Sequence, residues 1–261
     1  MLSLLRAEWH RLRATIRTLD GQTVFVLTFA ALAVVLQFTL GSRSRFVALF
    51  SGAVPREWLS LAAWGWWFGM QGIVGFVLPL LALRFGFRQS WTDMGIGLGH
   101  WRLASLLASF YVPMVAAGTW VLSDGAAFQA QYPHLQSAAR DWHVFLMYEG
   151  LFLFYWIGWE YLWRGFMIFG TRHTLGVYAI FVQAVPFAAL HINKPWPEAV
   201  LSIAGGIALG ALVWRCRSFW IAVPIHAAQM LLLDAWCTLR IRTGVDGIGL
   251  DALRRLFTAL G

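Results

Sequence analysis

Charge is scarce in this chain: only 12% of its 261 residues are Asp, Glu, Lys or Arg, where an ordinary soluble domain carries about a quarter. A water-soluble globule of this length needs more polar surface than that, so a soluble enzyme is excluded. Cysteine is sparse as well. Cys216 and Cys237 have neither a metal-binding spacing nor the numbers for a disulfide framework. Lysine occurs once, at Lys194, and the sequence contains no HExxH helix of the zinc-protease kind. Internal repeats, low-complexity tracts and a linker long enough to separate two domains are all missing.

Apolar residues are abundant: 59% of the chain is hydrophobic, with 16 Trp and 20 Phe, and the mean hydropathy is +0.65. Such a composition excludes a disordered chain. The net charge of +8 suggests nucleic acid at first sight, yet the arginines stand at the ends of apolar stretches. That placement suits anionic headgroups and topology rather than a phosphate-tracking groove. The chain therefore reads as an integral membrane protein whose partners are membrane lipids and not nucleic acid, in a bacterial cytoplasmic (inner) membrane.

Residues 1–20 place Leu2, Leu5, Trp9, Leu12 and Ile16 on one side of a helix and Arg6, Arg11, Arg13 and Arg17 mostly on the other. This spacing predicts a basic amphipathic helix lying on the membrane surface. A crossing needs roughly 20 apolar residues, and stretches of about that length run over 24–40, 59–83, 103–122, 144–169, 175–190, 199–213 and 219–239. The expectation is an all-α polytopic transmembrane bundle of about seven spans, with the first an uncleaved anchor and interfacial amphipathic helices at both ends, 1–20 and 240–261. Residues 21–239 then form a single membrane-embedded domain whose chemistry sits in 144–239. Arginines at the N-terminus and at 84, 88, 102, 172, 215 and 217 fall on one side of the membrane if the N-terminus is cytoplasmic; Arg43, Arg45, Arg56 and the tail arginines fall on the other.

Ionisable residues inside a span are costly, and each is a functional candidate by default. They concentrate in the C-terminal half: Glu149, Glu160, Arg164, His191, Glu198, His226 and Asp234. The first three spans read as scaffold, with Trp64, Trp66 and Trp67 turned to lipid or to neighbouring helices. Glu160 and Arg164, four apart, share a helix face and can pair; a purely structural ion pair is the plain alternative. Eleven residues return Glu149 to nearly the same face, about 16 Å away along the axis. His191 closes the fifth stretch before Pro195 and Pro197, where a histidine is commonly a cap. His226 follows Pro224. Imidazoles and a carboxylate converging from three helices can activate a water and stabilise an oxyanion, or bind zinc and acidify its water.

These residues resemble the motifs of the CPBP group of intramembrane proteases, which includes the type II CAAX prenyl endopeptidases and the bacteriocin-processing and immunity relatives. Members carry EExxxR, FxxxH and HxxxN on successive transmembrane helices; the counterparts here are Trp159 to Arg164, Phe187 to His191 and His226 to Met230. The resemblance covers about 144–239. It implies an endopeptidase acting on a membrane-associated or lipidated protein or peptide, with catalytic residues Glu160, Arg164, His191 and His226 and with zinc as a candidate cofactor. By the family pattern the glutamate and His191 activate water, His226 holds the oxyanion and Arg164 orients the acid. Two positions depart from the pattern. Trp159 stands where the first glutamate belongs, and Met230 replaces the asparagine. One residue along a helix turns a side chain by about 100°, so either a π-bulge near Gly158 rewinds the helix, or Glu149 or Glu198 serves instead, or the acid chemistry is gone. A non-catalytic relative that binds its partner uncut is the alternative function, and a transporter using the buried charges as a relay is a third.

Overall fold

In the computed structural model, which describes residues 1–259, the chain is helical along most of its length and no strand occurs among the described residues. The helices in chain order are α1 (Leu2–Ile16), α2 (Gly21–Thr39), α3 (Arg43–Phe50), α4 (Arg56–Gly72), α5 (Leu78–Leu81), α6 (Trp101–Leu122), α7 (Ala126–Gln131), α8 (Trp142–Glu160), α9 (Ile168–Leu175), α10 (Ala179–Ala189), α11 (Trp196–Cys216), α12 (Ala222–Thr243) and α13 (Leu250–Thr258). Two π-helical stretches, Ile73–Val77 and Ala82–Gly86, carry α4 and α5 on as one rod, and a third, Tyr161–Met167, joins α8 to α9.

Six helical runs are long and apolar enough to cross a membrane: Gly21–Thr39, Arg56–Gly86, Trp101–Leu122, Trp142–Ala189, Trp196–Cys216 and Phe219–Thr243. The difference from seven apolar stretches lies in the fourth run. Its 48 residues would extend about 72 Å if straight, more than twice the hydrocarbon thickness. Gly176, with φ at +53°, turns the chain there, and α10 packs back against the π-helical stretch 161–167. The molecule is thus an all-α, multi-pass membrane bundle.

Local sequence fixes where the helices start and stop. Asp20 caps α2 by accepting from the Thr23 N–H at 2.7 Å, and Asp141 caps α8 by accepting from His143 N–H at 2.8 Å. Gly244, left-handed with φ at +65°, ends α12. The last span therefore runs past the expected boundary at 239. The reason is Arg240, which is buried at 2% exposure because its guanidinium donates to Ser123 Oγ, Asp124 and the Val245 and Gly247 carbonyls. Only α13 of the expected C-terminal interfacial segment is a separate helix; residues 260 and 261 of that segment lie outside the described residues.

Polar side chains stitch the spans in place of a hydrophobic driving force, as membrane bundles require. Gln22 on α2 donates to the Gly170 carbonyl at 2.7 Å, Gln37 to the Trp67 carbonyl at 2.9 Å, and Gln183 on α10 to the Gly206 carbonyl on α11 at 2.9 Å. The tightest crossing joins α8 to the α4 rod at Gly158 and Gly75. A Cβ at Gly158 would lie 2.2 Å from the Gln71 carbonyl oxygen, so only glycine allows the backbones this close. That crossing fixes the register of the next two residues, Trp159 and Glu160. We expect Gly158→Ala to force the helices apart and cost about 1–3 kcal/mol, read as a lower thermal-unfolding midpoint in detergent than wild type.

Candidate active site

The polar stripe of α8 faces a matching stripe on α12. The two helices pack together, and two levels of polar contact join them. At one, Glu149 faces Asp234. At the other, Glu160 Oε1 lies 2.6 Å from His226 Nδ1 and accepts from Arg164 Nη1 at 2.9 Å. Glu149 is therefore on the expected face but stands opposite Asp234, away from the cavity wall.

Glu160 and Arg164 are both fully buried. Arg164 lays its guanidinium 4.0 Å from the Phe187 ring centre, a cation–π contact that gives the buried charge a second partner. Phe187 also touches the His191 ring at 4.7 Å. FxxxH thus works as a bridge: its aromatic ring carries the arginine on one side and the histidine on the other. Trp156 packs on the His226 ring at 4.3 Å, so the imidazole is held by Glu160 through a hydrogen bond and by an indole through contact.

Above this cluster opens a cavity of about 640 Å³, lined among others by Trp156, Trp159, His191 and His226. Glu160 and Arg164 are not in its wall; they lie behind His226. Trp159 lines the cavity where the resemblance places the first acid, and its ring sits 5.8 Å from Phe187 and 6.4 Å from His191. The π-helical stretch begins after Glu160, at Tyr161, so it does not turn Glu160 toward the cavity. Met230 lines the wall as an apolar residue.

The two imidazoles differ in what they present. His191 Nδ1 is 2.8 Å from the Phe187 carbonyl oxygen, which only accepts, so Nδ1 carries the proton and Nε2 is left with a free lone pair. Burial pushes the His191 pKa down to about 4, which keeps that lone pair open near neutral pH. His226 points Nδ1 at a carboxylate, so its Nδ1–H donates to Glu160 and its other nitrogen is available to the cavity. Zinc needs three or four donors. Here Glu160 lies outside the cavity wall with Oε1 engaged by Arg164 and His226, Trp159 offers none, and no group of three His, Cys, Asp or Glu among the described residues makes a metal site. The donor set does not fit zinc.

The rest of the wall comes from parts that the sequence reading left as loop and scaffold. Trp64 and Trp67 line the cavity rather than facing lipid. The segment between Asp124 and Asp141 folds over it, and Tyr132 is fully buried. Tyr132 donates its hydroxyl to Glu198 at 2.5 Å. Lys194 donates to the Tyr132 hydroxyl at 2.8 Å and to His134 Nε2 at 2.8 Å, and His134 Nδ1 donates to the Gln131 carbonyl at 2.9 Å. Burial and the neighbouring Lys194 push His134 down to about 3. Glu198 is the one carboxylate in the cavity wall, and it is tied to this network. The chain's single lysine, three residues from His191, was the sequence signal for it.

The structure is a helical membrane bundle with a histidine-bearing cavity over a buried Glu–Arg pair. Residues 141–232, roughly a third of the chain, match the family described as Type II CAAX prenyl endopeptidase Rce1-like. That segment holds all three motif positions, and the resemblance read from them stands. No curated protein and no solved structure matches the chain.

Two outcomes follow from this geometry. Removing one partner of a buried ion pair leaves the other uncompensated, at a cost of about 3–5 kcal/mol. We expect Glu160→Gln and Arg164→Met each to lower the unfolding midpoint sharply, and the double variant to recover part of the loss. The second concerns pH. His191 and His134 have folded pKa values below the ordinary 6.5, so between about pH 6.5 and 4 the unfolded chain binds more protons and stability falls as pH falls. Thermal midpoints measured across that window should drop, and His134→Asn should flatten the slope.

Proposed function

We propose that the cavity is the active site of an intramembrane endopeptidase, hydrolysing a peptide bond in a membrane-associated or lipidated protein. The observation that carries this is the presence of two imidazoles in one cavity wall: His191 with a free lone pair, and His226 backed by a carboxylate. In this reading His191 Nε2 takes a proton from water as the hydroxide attacks the carbonyl carbon. His226, with Glu160 as counter-ion, presents Nε2–H to the oxyanion that forms. When the C–N bond breaks, His191 returns its proton to the leaving amine. Glu160 acts here by holding His226, and Arg164 by holding Glu160. The Rce1-like match supports this chemistry in kind, and no step is routed through a metal.

One observation favours a second reading. Trp159 fills the wall where an acid would help His191, which suits a protein that binds the peptide and leaves it intact.

The test compares membrane-protein termini by proteomics in cells lacking this protein and complemented with wild type, His191→Ala, His226→Ala or Trp159→Glu. Under hydrolysis, wild type restores a terminus that neither histidine variant restores. Identical termini in all strains except Trp159→Glu, together with intact peptide bound by purified wild type, would replace hydrolysis by binding.

A further inference from the structure

The cavity wall holds three Arg, Lys or Glu side chains: Arg43, Lys194 and Glu198. Two of them satisfy each other. Lys194 Nζ is 3.8 Å from Glu198 Oε1, and Tyr132 joins them by hydrogen bonds to both. His134 and His191 are uncharged near neutral pH: both His134 nitrogens are engaged, by the Gln131 carbonyl and Lys194, and His191 Nδ1 is held by the Phe187 carbonyl. Arg43 is different. Among the described residues it has no ion-pair partner and no side-chain hydrogen bond; its one specific contact is with Trp64, whose ring centre lies 3.9 Å below the guanidinium. Trp64 in turn stacks on His134 at 5.7 Å and 13° between planes, so the indole is braced from the insert and the guanidinium rests on a fixed surface.

An arginine laid flat on an indole keeps its edge donors pointing outward, and those donors match a carboxylate in two-point geometry. The rim around it is polar, with Ser42, Ser44, Gln131 and Asn193 in the same wall, while Trp156, Trp159, Phe152 and Tyr155 make the remainder aromatic. The site suits a ligand with an apolar body and an anionic end.

We propose that Arg43 is a specificity-determining residue that selects peptides bearing a carboxylate, supplied either by a free C-terminus or by an acidic side chain. The proposal rests on the cavity being the peptide site, with or without cleavage. The pairing in the wall supports it: Lys194 and Glu198 answer each other, His226 leans on Glu160, and Arg43 is left with no carboxylate partner.

The experiment uses the full chain in nanodiscs and four versions of one fluorogenic peptide: C-terminal acid, C-terminal amide, and the amide with a single internal Glu or Gln. Both Kd and kcat/KM are measured for wild type, Arg43→Gln and Arg43→Lys. Wild type should favour a carboxylate peptide over its neutral counterpart by about tenfold, and the difference should lie in Kd or KM rather than kcat. The free-acid pair and the Glu/Gln pair report the two sources separately. In Arg43→Gln the preference should fall close to one, and in Arg43→Lys part of it should remain, since charge persists and the two-point fork does not. A wild type without preference, or an Arg43→Gln variant that keeps it, overturns the proposal. So does a preference that disappears only when phosphatidylglycerol is added to the discs, which would give Arg43 to a lipid headgroup. Selective binding without cleavage would retain Arg43 and remove hydrolysis, whereas cleavage without selectivity would do the reverse.

Discussion

The buried Glu160–Arg164 pair is the constraint around which the C-terminal half is arranged. Two full charges in the bilayer interior have to find partners within the protein, and each reaches out to a different helix to do so. Glu160 takes His226 from α12; Arg164 takes the face of Phe187 from α10. Three helices are thereby fixed relative to one another by one ion pair. The same contacts set the two histidines, since Phe187 supplies the carbonyl that fixes the His191 proton and Glu160 fixes the proton of His226. Removing a charge here would therefore disturb tautomers as well as packing, and the structural and functional readings of the pair describe the same set of contacts.

Much of this was legible in the sequence because helical geometry is regular. Spacings of four placed Glu160 with Arg164 and Phe187 with His191, and the structure brings all four into contact. The eleven-residue return of Glu149 was also visible, but the sequence had no means of saying that Asp234 would be waiting opposite it. A helix face can be computed from one chain segment; what it meets depends on how α8 and α12 pack against each other. The number of crossings was blurred for a related reason. A glycine with positive φ at 176 turns the chain within one helical run, Trp142–Ala189, which hydropathy divides at Arg172 and His173.

The cavity's polar rim was illegible for a different physical reason. Arg43, Tyr132, His134, Lys194 and Glu198 come from three separate stretches of the chain, and all but Glu198 lie outside the spans. The reading that treats polar connecting segments as solvated passes over them. In a membrane protein a connecting segment near the interface can instead be drawn inward, because a lysine able to donate to Tyr132 and His134, with Glu198 at 3.8 Å, is better served than one left against apolar walls. The price is a buried network, and its members are the residues that shape the opening.

Trp159 is where the two accounts of the cavity diverge. An acid at that position would bring a second carboxylate next to the Glu160 pair and a proton acceptor beside His191. An indole brings neither, but it adds an aromatic wall continuous with Trp156, Tyr155 and Phe152, and it packs against Phe187. Whatever the site lost in basicity it gained in apolar surface, and that shifts the free energy available from transition-state electrostatics toward ground-state binding. A cavity of this kind depends on how well it holds its ligand. In such a cavity the proposed selectivity of Arg43 would act on binding, and the basicity of His191 on the step that follows it.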